Sequence, residues 1–282
     1  MASTCIITDS SVQFTYPGFP GNKCLKIFQH QFSYSPTHEI ASTILKVGEL
    51  PAYTSSSFCP HILPAPREQL AETITASLPY YDDIFILLLS KEINPLYDAI
   101  EQLTISLHGH ANLHLIDSQN VSLGMGMLTQ FTAELLTQGI PADEVEKTIR
   151  LQIPHIYSLF CTPNLTYLQS AGMIDSGQAT VGEMLNLYPL FVMEEGKLNP
   201  MQKVKNPRAA IDYFLEFLDE FDDLRHVAFL QPAPPVINES KQLHQHIEEF
   251  FPETKYTEHL LSPFLSTFLG PRGFGMTVME NL

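Results

Sequence analysis

Residues 84–89 form an unbroken apolar run, Ile-Phe-Ile-Leu-Leu-Leu. The run is far too short to span a bilayer. It also lacks the alternation of a strand with one wet face, so it demands cover on both sides, as in a parallel sheet between two helical layers. Its neighbours supply those layers. Residues 5–8 read as a buried first strand that ends in Asp9-Ser10-Ser11. Leu70, Ile74 and Leu78 form a helical stripe, Pro95 opens a helix carrying Ala99, Ile100 and Leu103, and residues 112–116 form a third strand ending in Asp117-Ser118. A helix with Leu128, Phe131 and Leu135 stops at Gly139, and another begins near Pro141-Ala142-Asp143. Such β–turn–α alternation predicts a doubly wound, mostly parallel sheet.

The second half has another pattern. Residues 159–162 read as a strand leading into a helix over 164–171, closed by Gly172. Two strands, 188–193 and 197–205, flank Glu194-Glu195-Gly196, a hairpin signal. Residues 207–221 form an amphipathic helix with Ile211, Phe214, Leu215, Leu218 and Phe221 inward, followed by a strand at 226–230, a helix at 239–251 and a strand at 255–259. Hairpins beside helices predict an α+β domain with an antiparallel sheet. The chain is therefore expected to be α/β with two domains, residues 1–158 and 159–282.

At 282 residues and 44% hydrophobic content, two cores of ordinary size are affordable. Fifteen Lys and Arg against 31 Asp and Glu give a formal charge of −16, which repels nucleic-acid phosphates and anionic membrane surfaces alike. Cys5, Cys24, Cys59 and Cys161 are scattered, with no C-x-x-C spacing, so neither a zinc ribbon nor a disulfide framework is expected. The first nine residues carry no basic segment followed by an apolar one, so a cytoplasmic protein without stable membrane insertion is expected.

Polar clusters recur where the first-domain strands end: residues 8–11, residues 54–57, Ser90 and Asp117-Ser118. The carboxyl ends of strands are where open parallel sheets bind ligands, and hydroxyls there suit a carboxylate or phosphate. Helix capping is the competing role for the same residues. His108, His110 and His114 have a spacing that raises a metal site, but they straddle a helix end and a strand, so no metal is expected. Asp9 and Asp117 at neighbouring strand ends raise a second reading, a phosphoryl-transfer or hydrolytic enzyme using Mg²⁺. No G-x-S-x-G elbow, Walker loop or Rossmann glycine fingerprint is present.

In order along the chain, six segments resemble the DegV family. Residues 6–11 (Ile-Ile-Thr-Asp-Ser-Ser) are similar to its opening strand, and residues 54–57 (Thr-Ser-Ser-Ser) to its Thr-Ser loop. Residues 115–124 resemble its Asp-Ser-x-x-Val-Ser-x-Gly segment, and residues 165–174 its Leu-x-Tyr-Leu-x-x-Gly-Gly-Arg-Ile segment. Residues 185–190 resemble Leu-Asn-x-Lys-Pro-Ile, and Gly270-Pro271 the terminal Gly-Pro-Gly. The resemblance implies a non-enzymatic carrier, with no catalytic residue and no cofactor, that holds a long-chain fatty acid or similar lipid in a buried pocket between two domains. Some members present the carboxylate to a fatty-acid kinase subunit.

By the same resemblance the lipid head group falls to Thr54, Ser55, Ser90, Asn94, Phe268 and Gly270. Four departures bear on that set. Asn94-Pro95-Leu96 stands where the family carries Ser-Gly-Thr, the proline of the Thr-Ser loop is absent, Ala171 and Met173 replace a glycine and an arginine, and Phe268 replaces a histidine. Arg272 is a candidate substitute cation, and a regulatory protein with a degraded pocket is the third reading.

Overall fold

The computed structural model describes residues 3–33, 44–52, 54, 59–63, 66–107 and 111–282. The first half contains β1 (Thr4–Asp9), β2 (Leu25–Phe28), β3 (Gln31–Ser33), β4 (His61–Leu63), α1 (Arg67–Thr75), β5 (Asp83–Leu88), α2 (Leu96–Ser106), β6 (Asn112–Asp117), α3 (Leu123–Thr137) and α4 (Ala142–Gln152). The second contains β7 (Ile156–Cys161), α5 (Leu165–Ser170), α6 (Ser176–Met184), β8 (Tyr188–Glu194), β9 (Lys197–Val204), α7 (Pro207–Leu218), β10 (Leu224–Gln231), α8 (Ser240–Phe250), β11 (Lys255–Leu260), α9 (Pro263–Leu269) and β12 (Phe274–Glu280).

These elements form two compact units that are not contiguous in sequence. One comprises Met1–Gln31, Leu63–His155 and Glu195–Lys197; the other comprises Phe32–Ile62, Ile156–Glu194 and Leu198–Leu282. The chain passes from the first unit to the second after Gln31 and again after His155, and Glu195–Lys197 returns to the first. The sequence periodicity did not anticipate that Phe32–Ile62 joins the second unit.

The first unit is built on a parallel sheet, order β2-β1-β5-β6. Every residue of β5 is buried, as its apolar run requires. Helix α3 is buried over nearly its whole length, so it has no polar face to orient it. Its close seating depends on Gly126, where a Cβ would lie 1.9 Å from the Gln13 carbonyl oxygen. At the far end of the sheet, His114 stacks on Phe85 at 4.4 Å and lies between two carboxylates. Its Nε2 is 3.1 Å from Asp83 Oδ1 and its Nδ1 is 2.6 Å from Glu146 Oε2. Both ring nitrogens therefore face carboxylate oxygens, which only accept. His108 and His110 lie outside the described residues, and His114 has both nitrogens committed to carboxylates.

The second unit carries a six-stranded sheet, order β11-β10-β12-β7-β8-β9. The β10–β12, β12–β7 and β7–β8 pairs are antiparallel, as expected, but β10 and β11 pair in parallel, so the sheet is mixed. The parallel pair follows from its connection: α8 lies between β10 and β11 and returns the chain to the same end of the sheet. Strand β12, central in the sheet, was not anticipated. Phe214 of α7 packs against Phe229 of β10 and Phe274 of β12, with ring centroids 6.5 and 6.2 Å apart. Ile211, Leu218, Leu243 and Ile247 complete this core. Truncating Phe214 to Ala is expected to cost about 3–5 kcal/mol.

His226 of β10 is buried, with Nε2 2.9 Å from Thr257 Oγ1. Burial, aided by Lys255, His259 and Arg225, pushes its pKa down to about 3. The unfolded imidazole takes up its proton near 6.5, so between those two values the unfolded state binds the extra proton. This stability is therefore fully present above about pH 6.5 and declines as pH falls toward about 3. Denaturant titrations of wild type and His226→Gln across that window check it: the variant should show a shallower loss of stability on acidification, and parallel curves would refute the assignment.

Candidate functional site

Within the second unit the polar and apolar requirements of a ligand site are met by neighbouring elements. The polar part begins at the segment before β4. Phe32, Leu45, Leu50 and Tyr167 form a small buried cluster, with Ile62 packed against it. Tyr167 of α5 is fully buried, and its hydroxyl donates to the Pro51 carbonyl at 2.7 Å. Asn164, also fully buried, donates from Nδ2 to the Ala52 carbonyl. Thr54 then donates its backbone N–H to Thr166 Oγ1 at 3.2 Å. Three residues from the start of α5 thus hold Pro51, Ala52 and Thr54 in place.

Asn164 also reaches the segment after α9. Its Oδ1 accepts the Arg272 backbone N–H at 3.1 Å. Gly270 has φ 67°, and a Cβ on it would lie 2.7 Å from the Asn164 side chain, so both its backbone and its neighbour require glycine there. Thr162 Oγ1 donates to the Leu269 carbonyl and accepts the Asn164 N–H at 3.0 Å. Cys59 is buried close by. Burial pushes its thiol pKa up, against hydrogen bonds from Ser170 and Thr54 that favour the thiolate.

Thr54 and Gly270 are therefore both tied to Asn164 and its helix. Phe268 sits half-buried in α9, its ring 5.4 Å from that of Phe264. Arg272 is exposed and engages Asn164 through its backbone. Ser55 lies outside the described residues. Ser90 and Asn94 belong to the first unit. The Ser90 hydroxyl, fully buried, donates to the Gly196 carbonyl at 2.6 Å and accepts the Glu92 N–H at 3.2 Å. Asn94 Oδ1 accepts the Leu96 N–H at 3.0 Å and so opens α2. Asn164, Thr166 and Cys59 were not singled out from sequence, although Asn164 occupies the helix-initiating position after Pro163, a recognisable cap signal.

The apolar part is a cleft of about 530 Å³ lined from α5, α6, β8 and β9, all in the second unit. Leu165, Met173, Ile174, Val181, Leu187 and Phe191 supply most of its wall. This volume falls within the range of small-molecule sites. Helix α6 closes one side and starts in a capping box: Asp175 accepts the Gln178 N–H at 2.8 Å while Gln178 accepts the Asp175 N–H at 3.0 Å.

Asp9 has a structural setting. It is fully buried, Oδ1 accepts the Ser11 N–H at 2.9 Å and lies 3.0 Å from His30 Nε2, and Oδ2 accepts the Leu89 N–H at 2.9 Å. Asp117 Oδ1 accepts the Gln119 N–H at 3.0 Å, and burial raises its pKa against that hydrogen bond and a second from Lys91. Among the described residues no three His, Cys, Asp or Glu side chains converge as a metal site. Also among them, no helix is long and apolar enough to cross a membrane.

The family described as "Uncharacterised protein, DegV family" matches residues 53–281. A DegV domain-containing protein of Caldanaerobacter subterraneus is 26% identical over 175 residues, covering 62% of this chain and 59% of that protein. One from Staphylococcus aureus is 23% identical over the full length of both. Among solved structures, the fatty acid binding DegV family protein from Streptococcus agalactiae superposes with a TM-score of 0.81 at 16% identity, covering 100% of both chains. The Fatty Acid Kinase (Fak) B3 protein of Streptococcus pneumoniae, loaded with linoleic acid, gives 0.74 at 17% identity, covering 99% of this chain and 100% of that one.

If Asn164 organises the polar part, Asn164→Asp should be worse than its near-isosteric shape implies. The substitution sets an acceptor against the Ala52 carbonyl while preserving the Arg272 contact. A loss of about 1–3 kcal/mol in denaturant unfolding is expected. A stability equal to wild type would show that the amide donor is dispensable.

Proposed function

The chain belongs to the DegV family, and from that premise we propose that it binds a long-chain fatty acid or a closely similar lipid and carries it without transforming it. The cleft beside α5 and α6 is the single observation that supports this most. A long acyl chain stabilises a complex by about 0.8 kcal/mol for each methylene removed from water. Leucine, isoleucine, valine, phenylalanine and methionine at the wall of this cleft are the side chains such a tail needs. The relatives from Streptococcus agalactiae and Streptococcus pneumoniae, described respectively as fatty acid binding and as loaded with linoleic acid, support the same ligand class.

The head group is assigned to the polar residues gathered at Asn164. In this proposal Thr54 and Ser55 supply hydroxyl and backbone donors, Gly270 permits close approach of its backbone, and Phe268 lines the apolar side. A carboxylate removed from water requires such donors, because an unpaired buried charge is costly. Ser90 and Asn94 belong to the proposed set through the family resemblance; the Ser90 hydroxyl donates to the Gly196 carbonyl. Presentation of the carboxylate to a fatty-acid kinase subunit belongs to the proposal as a second step, supported by the likeness to the Fak B3 protein. A cytoplasmic setting is proposed with it. The Asp9–Asp117 enzyme is disfavoured because both Asp9 oxygens are occupied inside the fold.

Native mass spectrometry of protein purified from cells under mild conditions should show a co-bound species of fatty-acid mass. A clean ligand-free mass would count against the proposal. Val181 lines the cleft and is 56% exposed, so Val181→Glu places a charge in the cleft wall at small cost to folding. Lipid occupancy should fall at least several-fold in that variant while its melting temperature stays close to wild type. Thr54→Ala should also reduce retention, and unchanged occupancy would remove Thr54 from the head-group site.

A further inference from the structure

Two of the four cysteines meet at the edge of the first-unit sheet. Strands β1 and β2 pair in parallel with Ile6 opposite Leu25, and Cys5 and Cys24 are the residues that immediately precede that pair in the two segments. Neighbouring strands lie about 4.8 Å apart, inside the Cα separation that a disulfide spans. The two residues are in direct contact: the Cys5 thiol donates to the Cys24 backbone carbonyl oxygen at 3.2 Å. Tyr81 lies within electrostatic reach of both sulfurs, and the Lys26 ammonium sits 5.7 Å from the centre of its ring. The two thiols differ in access. Cys24 is exposed at the end of the short helical turn Asn22–Cys24, whereas Cys5 is fully buried.

We propose that Cys5 and Cys24 are a redox-active pair, with exposed Cys24 as the sulfur that meets an oxidant and Cys5 as the sulfur that resolves it. With a hydroperoxide as oxidant the steps balance. The Cys24 thiolate attacks the terminal peroxide oxygen, the O–O bond breaks, and the departing hydroxide or alkoxide takes up the proton that the Cys24 thiol released and leaves as water or an alcohol, so that Cys24 becomes a sulfenic acid. The Cys5 sulfur then attacks the Cys24 sulfur. The S–S bond forms, the S–OH bond breaks, and the departing hydroxide takes the Cys5 proton as water. Two thiols are oxidised by two electrons, and one peroxide is reduced.

Burial pushes the Cys5 pKa up to about 11, opposed by the Lys26 ammonium. The resolving thiolate is therefore scarce at neutral pH, and the second step is slow there and accelerates with alkalinity. The bond closes a loop that contains Asp9, Ser10 and Ser11 and staples edge strand β2 onto β1. This inference stands on the first unit alone and is independent of the lipid reading.

Full-length protein treated with hydrogen peroxide, quenched by alkylation and peptide-mapped, tests it. The expected result is an intact-mass loss of about 2 Da, for two hydrogens, and a cross-linked peptide joining Cys5 to Cys24. The yield at fixed time should rise with pH, and the oxidised protein should melt at a higher temperature. Cys24→Ser, at an exposed position, should fold normally and give no such peptide. Recovery of Cys5 as an alkylated thiol beside Cys24 sulfinic acid, or beside a Cys24–Cys24 dimer, would overturn the proposal.

Discussion

The carboxamide of Asn164 is the interaction on which the polar side of the candidate site depends. A single buried side chain donates to residue 52 and accepts from residue 272, segments separated by most of the chain. Each hydrogen bond contributes only about 1 kcal/mol net, but an orphaned buried partner costs about 1–3 kcal/mol. The pair therefore acts less as a source of stability than as a constraint on register. Thr54 is presented beside Thr166, and Gly270 stays against the Asn164 side chain, only while both contacts hold. Tyr167 and the apolar cluster around it reinforce the same arrangement from below.

The first unit treats its polar strand ends differently. Asp9 links the end of β1 to Leu89 after β5 and to His30 after β2. Ser10 accepts the His30 N–H at 2.8 Å, and Ser118 and Asn120 hydrogen-bond to one another. These groups satisfy the backbone donors that an all-parallel sheet leaves at its carboxyl edge. Capping and ligand binding use the same atoms, and for Asp9 the structural use consumes both oxygens. Asp83, His114 and Glu146 form a comparable network at the opposite end of the sheet, where stacking on Phe85 adds packing to charge pairing.

The elements of the first unit were legible because their signals are local. The wholly apolar β5, the stripe Leu70–Ile74 and the glycine after α3 each act through neighbours in sequence. The hairpin between β8 and β9 was legible for the same reason, since Glu195 and Gly196 both adopt positive φ in the turn. The parallel pairing of β11 was not, because strand direction depends on where α8 returns the chain. Strand β12 escaped because its glycine and mixed polarity disguise a strand buried between two others. Thr54, Ser55 and Ser90 stood out locally as polar clusters at predicted strand ends, Asn94, Phe268 and Gly270 came from the family resemblance, and Asn164 was invisible for another reason. Its cap position was readable, but its side chain serves remote carbonyl and amide groups.

The sequence alone determined an acidic α/β chain with a parallel sheet followed by a second sheet beside amphipathic helices, and its ordered segments were enough to indicate the family. Periodicity, turn chemistry and charge carry that information because each is set by residues within a few positions. Only the tertiary structure decided that Phe32–Ile62 joins the second unit, that Asn164 unites Thr54 with Gly270, and that the apolar cleft opens between α5, α6 and the β8–β9 hairpin. Those features depend on which distant groups satisfy one another once water is excluded, and no local pattern encodes that pairing.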